Sequence, residues 1–367
     1  MKIVLFANTD WYLFNYRLPL ARALRDLGHE VVLLSPPGRY VTRLEGEGFR
    51  WQSFPLEGKG TNPLAEIAVV ARLARVLGSE KPDVLHNFTI KPMIYGSLVA
   101  RMTGIRRVVN AVEGLGFVFS GGQAALRAVV TFLYRIGLRG TTVVFHNSDD
   151  REVFLKRHLI GEENAELIPS VGVDMDVFRA GPEPERDPVV MLTGRLLRSK
   201  GVPEFVEAAK RLRQNGVRAR FVLVGGPFLD NPESVTAEEI SDWEKSGWIE
   251  YWGWHDDMAD VYPKAAVVCL PTAYKEGLPR SLLEAGACGR PVVATDIPGC
   301  RAIVRHGENG LLVEPHNVDA LVEALKTLLN DRALRQTMGL RGREIVGREF
   351  SVETIIARTL RLYDRKR

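Results

Sequence analysis

Twice along this chain, short runs rich in Val, Ile and Leu alternate with longer amphipathic stretches. That double alternation permits few folds. In the first pass, residues 3–7, 30–35, 84–86, 107–111 and 142–147 read as strands, and 16–27 and 62–77 as helices between them. These strand runs are apolar on successive residues, the mark of strands buried on both faces, so a parallel sheet covered by helices is expected. Leu27-Gly28-His29-Glu30 reads as a helix stop that leads into the second strand. In the second pass, 188–193 reads as a strand and a helix lies near 203–214; later strands are 218–225, 249–252, 266–270, 291–294 and 310–313.

The Pro-rich, charged stretch from Ala180 to Pro188 between the two passes is the expected linker. The expected fold is α/β, with two Rossmann-like doubly wound domains facing across a cleft. They span 1–179 and 180–349, and a C-terminal helix at about 350–367 is expected to pack back on the first. Open parallel sheets bind ligands outside the carboxyl ends of their strands, so the loops there are where chemistry is expected.

The chain has 367 residues, a length suited to two cores, and its 46% hydrophobic and 26% charged fractions place it among soluble globular proteins. Up to Gly140 there are 18 Lys/Arg against 10 Asp/Glu, although the whole chain carries only +4, so the first part is basic and the remainder carries −4. A basic first half suits an anionic partner, with a scattered solvated surface as the bland alternative. The three cysteines, Cys269, Cys288 and Cys300, match no metal-site spacing, and their odd number argues against a disulfide framework, so a reducing cytosol is expected. The chain opens directly on a strand with no signal-like segment, and no uncharged apolar run reaches the roughly 18 residues of a membrane span.

Two segments in the second half carry the chemistry. Gly194-Arg195-Leu196-Leu197-Arg198-Ser199-Lys200-Gly201 follows the first strand of the second domain. A turn placed there aims backbone N–H groups outward, and Arg195 and Lys200 add a planar fork and a point charge that suit phosphate oxygens. Some 80 residues later comes Lys275-Glu276-Gly277-Leu278-Pro279-Arg280-Ser281-Leu282-Leu283-Glu284. Pro279 suits the first turn of a helix, where the N–H groups of Leu278, Arg280 and Ser281 favour a phosphate. Glu276 and Glu284 can accept paired hydrogen bonds from vicinal hydroxyls of a sugar. Taken singly, each segment has a bland alternative in a solvated loop or a structural helix; together they supply what a sugar-nucleotide site needs.

With these stretches, Val224-Gly225-Gly226, Trp252-Gly253-Trp254-His255-Asp256-Asp257, residues 291–299 and Gly307–Val313, the sequence resembles the retaining glycosyltransferases of family 4, which have the GT-B fold. The resemblance implies that Arg195 and Lys200 hold the donor diphosphate, with Gly225, Gly277, Leu278 and Pro279 lining it. It also implies that Glu276 binds the transferred sugar, Glu284 the ribose, and the loop at Trp254 the base. Glu276, Arg195, Lys200 and His86 are the catalytic candidates.

The first half departs more from the family pattern. The usual Gly-Gly turn is replaced by Asn8-Thr9-Asp10-Trp11-Tyr12-Leu13-Phe14-Asn15-Tyr16-Arg17, whose aromatics are expected to wall the acceptor side. Phe88 stands where a second His is common, which leaves His86 either functional or a buried structural imidazole. The stretch from Phe88 to Gly96, Glu113-Gly114-Leu115-Gly116-Phe117 and Pro298-Gly299-Cys300-Arg301 resemble the branch that extends polyprenyl-diphosphate-linked glycans for capsule, O-antigen or similar surface polysaccharides. On that resemblance Asn15, Arg17, Lys91, Glu113, Gly114 and Arg301 are acceptor-side candidates.

Residues 124–138 (AALRAVVTFLYRIGL) form a basic amphipathic stretch, either an interfacial helix or a core helix with outward arginines. Asp174-Met175-Asp176 spells Asp-x-Asp but falls in the turn that closes the first domain, so no metal is expected. The expected function is therefore a retaining, metal-independent glycosyltransferase. It moves a hexose or N-acetylhexosamine from a nucleotide sugar, UDP-linked by the branch resemblance, to a polyprenyl-diphosphate-linked saccharide. It needs no cofactor, binds no nucleic acid, and works in the cytoplasm, peripheral at the inner membrane. A sugar-nucleotide epimerase on the same scaffold and a non-catalytic nucleotide-sugar-binding module are the alternatives. A dinucleotide-dependent dehydrogenase lacks its Gly-x-Gly-x-x-Gly turn here.

Overall fold

The structure is a computed structural model and describes residues 1–56, 63–114, 124–169, 172–185, 187–228, 231–274 and 277–364. The chain divides into two compact units, Met1–Val171 with Ile355–Arg367, and Gly172–Thr354.

The first unit is built on seven parallel strands: β1 Lys2–Phe6, β2 Glu30–Ser35, β3 Arg50–Ser53, β4 Val84–Phe88, β5 Arg107–Val112, β6 Thr142–Phe145 and β7 Ala165–Leu167. They lie in the order β3-β2-β1-β4-β5-β6-β7. The second unit holds β8 Val189–Thr193, β9 Arg220–Val224, β10 Glu250–Gly253, β11 Val267–Leu270, β12 Val292–Thr295 and β13 Gly310–Val313, in the order β10-β9-β8-β11-β12-β13.

Successive residues of one strand feed opposite cores. In β1, Ile3 and Leu5 enter one cluster and Val4 and Phe6 another; in β8, Val190 and Leu192 enter one and Val189 and Met191 the other. Side chains alternate across a pleat, so a strand apolar at every position must be covered on both faces, and helices supply the cover. In each sheet the strand order reverses once, between β1 and β4 and between β8 and β11. Loops leaving two such neighbours run in opposite directions and open a crevice at their carboxyl ends.

Several local expectations shift. The first helix begins well before residue 16: Thr9 caps it by accepting from Tyr12 N at 3.1 Å. A π turn at Leu13–Arg17 then joins Asp10–Tyr12 to Leu18–Asp26. The Pro-rich stretch expected as the linker lies inside the second unit. Glu183 there forms a buried ion pair with Arg335 at 2.5 Å, and Arg290 donates to the carbonyls of Gly181 and Pro182. The last helix, Val352–Asp364, sends Ile355, Leu362 and Tyr363 into the core of the first unit.

Candidate active site

In the second unit the loop after β8 is fixed to its neighbours through backbone. Gly225, at φ +128°, lies so close to Gly194 that a Cβ on it would sit 1.8 Å from the Gly194 carbonyl oxygen. The N–H of Gly225 donates to Gly253 O at 2.8 Å, so the ends of β8, β9 and β10 are stitched side by side. The loop after β11 is tied to the same turn at one atom. The Ser199 carbonyl accepts from Thr272 Oγ1 (3.1 Å), Ala273 N (2.9 Å) and Tyr274 N (3.0 Å). Gly201, at φ +78°, closes this contact, because a Cβ there would lie 2.1 Å from Pro271 O. The basic turn and the segment leading toward Gly277–Glu284 are therefore brought together at the β8/β11 switch point.

Arg195 is exposed, with its guanidinium 5.4 Å from the Phe228 ring centroid, and Lys200 is half-buried. Between them Arg198 pairs outward with Glu239 at 2.5 Å. The helix Arg280–Ala287 starts one residue later than expected. Pro279 is its N-cap, not part of its first turn, and Pro279 O accepts from Leu282 N at 3.1 Å. Proline brings no side-chain oxygen to cap with, so the first-turn N–H groups keep their capacity to bind an anion.

Glu284 is buried, 2.6 Å from Arg280 Nε, and meets Tyr262, whose hydroxyl lies 3.0 Å from Thr193 Oγ1. Burial pushes the Glu284 carboxyl up from its ordinary range, against the pull of Arg280 and Tyr262. Gly277 is buried and Leu278 half-buried beside this helix start. Trp254 is exposed at the end of β10, its indole N–H donating to Asp256 at 3.0 Å. Glu276 lies outside the described residues.

The first unit gathers a second cluster at its own switch point. Arg17 is 5% exposed. It donates to the Tyr12 hydroxyl and to Glu113 Oε1 (2.6 Å), and its guanidinium lies 4.2 Å from the Phe88 ring centroid. Glu113 also faces His146 Nε2 at 3.3 Å. Burial alone would raise the Glu113 carboxyl, but Arg17 and then His146 outweigh it and hold the group at about 2. His86 is buried, and burial followed by the Arg17 charge holds its imidazole well below the usual range, so the ring is neutral. Thr89, just past β4, has φ 72° and ψ 166°, a conformation that is strained for any residue but glycine.

The other acceptor-side candidates are engaged locally. Lys91 Nζ pairs with Glu66 at 2.6 Å, and Asn15 donates to Trp11 O at 2.9 Å. Gly114 has φ +130° at the end of the described stretch after β5. Arg301 is exposed, pairs with Asp296 at 2.6 Å, and belongs to the second unit. Asp174 Oδ1 caps its own turn, accepting from Asp176 N and Val177 N. Among the described residues no group of three or more His, Cys, Asp or Glu is arranged to hold a metal ion.

Sequence reading did not single out His146, Thr89 or Tyr363, and it counted Tyr12 only among the aromatics of residues 8–17. His146 had a signal, since it follows the apolar run of β6 as His86 ends that of β4, whereas Tyr363 had none.

A Gly-bounded cationic turn and a helix start at the switch point of one Rossmann-like unit can bind a phosphate, and two such units in one chain are the make-up of the GT-B fold. The family described as Glycosyl transferases group 1 matches residues 175–345, and the Glycosyl transferase 4-like domain matches residues 15–170. The chain belongs to these glycosyltransferases.

Among curated relatives, the N,N'-diacetylbacillosaminyl-diphospho-undecaprenol alpha-1,3-N-acetylgalactosaminyltransferase of Campylobacter jejuni is 28% identical, over 100% of this chain and 99% of its own length. The UDP-Gal:alpha-D-GlcNAc-diphosphoundecaprenol alpha-1,3-galactosyltransferase of Escherichia coli is 28% identical, over 71% of this chain and 70% of its own. Among solved structures, the Anabaena HepE protein in complex with UDP and glucose aligns at a TM-score of 0.82 with 20% identity, covering 98% of each chain. A glycosyltransferase from Rickettsia africae aligns at 0.82 and 20%, covering 99% of this chain and 97% of its own. The epimerase and the non-catalytic module are not favoured by these matches.

Proposed function

We propose that this glycosyltransferase moves a hexose or N-acetylhexosamine from a UDP-linked donor to a polyprenyl-diphosphate-linked saccharide, with retention at the anomeric carbon and without a metal ion. The observation that carries the donor side is the Ser199 carbonyl, which ties the cationic turn to the loop preceding the 280–287 helix. In this reading Arg195, Lys200 and the N–H groups of Arg280 and Ser281 take up the charge that develops on the β-phosphate as the anomeric C–O bond breaks. Those same groups neutralise the diphosphate, the task a divalent cation would otherwise perform.

Glu284 binds the ribose, Trp254 lies at the base, and Glu276 holds the hydroxyls of the transferred sugar. The departing phosphate takes the acceptor proton, and attack occurs on the face it leaves. The first unit is the acceptor-binding domain. The Campylobacter and Escherichia relatives, whose names specify saccharides linked to undecaprenol diphosphate, support the choice of acceptor.

The helix Ala124–Gly137 supports a peripheral membrane position. Val129, Phe132 and Ile136 are exposed on one face, and Arg135 and Arg139 are exposed beside it. Among the described residues no helix is long and apolar enough to cross a membrane.

The test incubates the protein with UDP- and GDP-sugars, a polyprenyl-diphosphate-linked sugar and EDTA, and reads the product linkage by NMR. An α-linked product from a UDP-sugar is expected. Turnover only with GDP-sugars, an inverted product, strict dependence on added metal, or a covalent adduct on Glu276 seen by mass spectrometry would each overturn the corresponding part.

A further inference from the structure

The C-terminal helix delivers one side chain to the strand-end cluster of the first unit. Tyr363 is 1% exposed, and its hydroxyl lies 2.5 Å from His86 Nδ1, 277 positions away in sequence. The two rings meet edge to face, with centroids 5.7 Å apart at 84°. On its other side the imidazole lies against Phe88 at 4.2 Å, so the ring is held by contacts on two sides.

Tautomer follows from proton accounting. Burial keeps the Tyr363 phenol protonated, and a buried O–H must donate. Among the described residues its one hydrogen-bond partner is His86 Nδ1. A neutral imidazole has one donor and one acceptor nitrogen. Nδ1 therefore accepts, and the single ring proton sits on Nε2. That nitrogen is buried and has no partner among the described residues. It lies in the cluster whose fields come from Arg17, Glu113 and His146. A buried N–H with no acceptor costs free energy, and an oxygen of a bound ligand would satisfy it.

We propose that Tyr363 is a positioning residue that locks His86 as the Nε2–H tautomer, and that His86 donates this hydrogen bond to an oxygen of the acceptor rather than serving as a general base. The acceptor half of this proposal rests on the function proposed above; the tautomer half does not.

The experiment is NMR of the full chain labelled with 15N-histidine, without substrates. A neutral Nε2–H pattern for His86 is expected, lost or mixed in Tyr363→Phe. An Nδ1–H pattern in the wild type, or an unchanged pattern in Tyr363→Phe, overturns the proposal. In turnover assays Tyr363→Phe is expected to raise the acceptor KM about tenfold and leave the donor KM unchanged. His86→Gln, whose amide N–H stands in for Nε2–H, should retain activity that His86→Asn loses; the reverse order overturns the proposal even if Tyr363→Phe does not fold. Failure of every acceptor to react would defeat the proposed function, while the NMR pattern would still decide the tautomer.

Discussion

Gly201 and Gly216 stand at the two ends of the helix Val202–Gln214 and form a matched pair for testing the phosphate-loop assignment. Their φ angles are +78° and +77°, so an Ala at either carries the same left-handed backbone cost, about 1–2 kcal/mol. Their surroundings differ. A Cβ at Gly216 meets nothing within 4 Å, whereas a Cβ at Gly201 would sit 2.1 Å from Pro271 O and 2.6 Å from Pro271 C. Relief to an ordinary contact requires the two loops to part by about 1 Å, which pulls on the three hydrogen bonds to Ser199 O. Overpacking of this kind typically adds about 1–3 kcal/mol. A displacement of about 1 Å at a reacting centre can cost roughly a hundredfold in rate. Gly216→Ala should therefore lose about 1–2 kcal/mol in urea unfolding and keep wild-type kcat. Gly201→Ala should lose about 2–5 kcal/mol and about a hundredfold in kcat, measured at saturating donor and at a temperature where both variants are folded. Equal kcat in the two variants would refute the claim that the Gly201–Pro271 contact sets the geometry of the donor site.

Three further outcomes follow from the described contacts. Arg195→Ala or Lys200→Ala should lower kcat at least about a hundredfold, since a lost charge-stabilising donor costs roughly 2.7–4 kcal/mol; near-wild-type kcat in both would remove them from the site. Glu113 is held at about 2 against an ordinary 4.5, so its contribution is fully present above 4.5 and is lost as pH falls toward 2. Wild-type stability should fall across that window by up to the order of 3 kcal/mol more than that of Glu113→Gln, as read by denaturant titration at each pH. Glu183→Ala should destabilise the protein by about 3–5 kcal/mol, because it leaves Arg335 buried without its carboxylate; activity per folded molecule should not change.

The strands legible in the sequence are those with an apolar stretch of consecutive residues, because burial on both faces writes itself into composition. The two that were missed lack that signature. β3, Arg-Trp-Gln-Ser, is a polar edge strand, and β7 is three residues long. The start of the first helix was readable, since Thr9 is a standard N-cap residue, but the strand-to-loop reading of Asn8-Thr9-Asp10 hid it. The two donor-side motifs, some 80 residues apart, were expected side by side because a topological rule gathers strand ends, and the Ser199 carbonyl does tie the basic turn to the loop after β11.

The cluster in the first unit obeys the same rule only in part. Glu113 and His146 follow directly on β5 and β6 and His86 lies within β4, so their gathering follows from strand order, whereas Arg17 comes from the π turn well past β1. Which of them pair is decided by side-chain reach and burial, and spacing does not encode either. Arg17 and Lys91 read alike in sequence, as cations on the acceptor side. Yet Arg17 is bound into a buried pair with Glu113, and Lys91 is turned to Glu66 on another helix. The Tyr363 contact is further removed still, because it depends on the course of a helix that begins in one unit and ends in the other. A motif can therefore name the loops of a site, while the tautomer of an imidazole within it is set by a residue 277 positions away, in a helix that carries no motif.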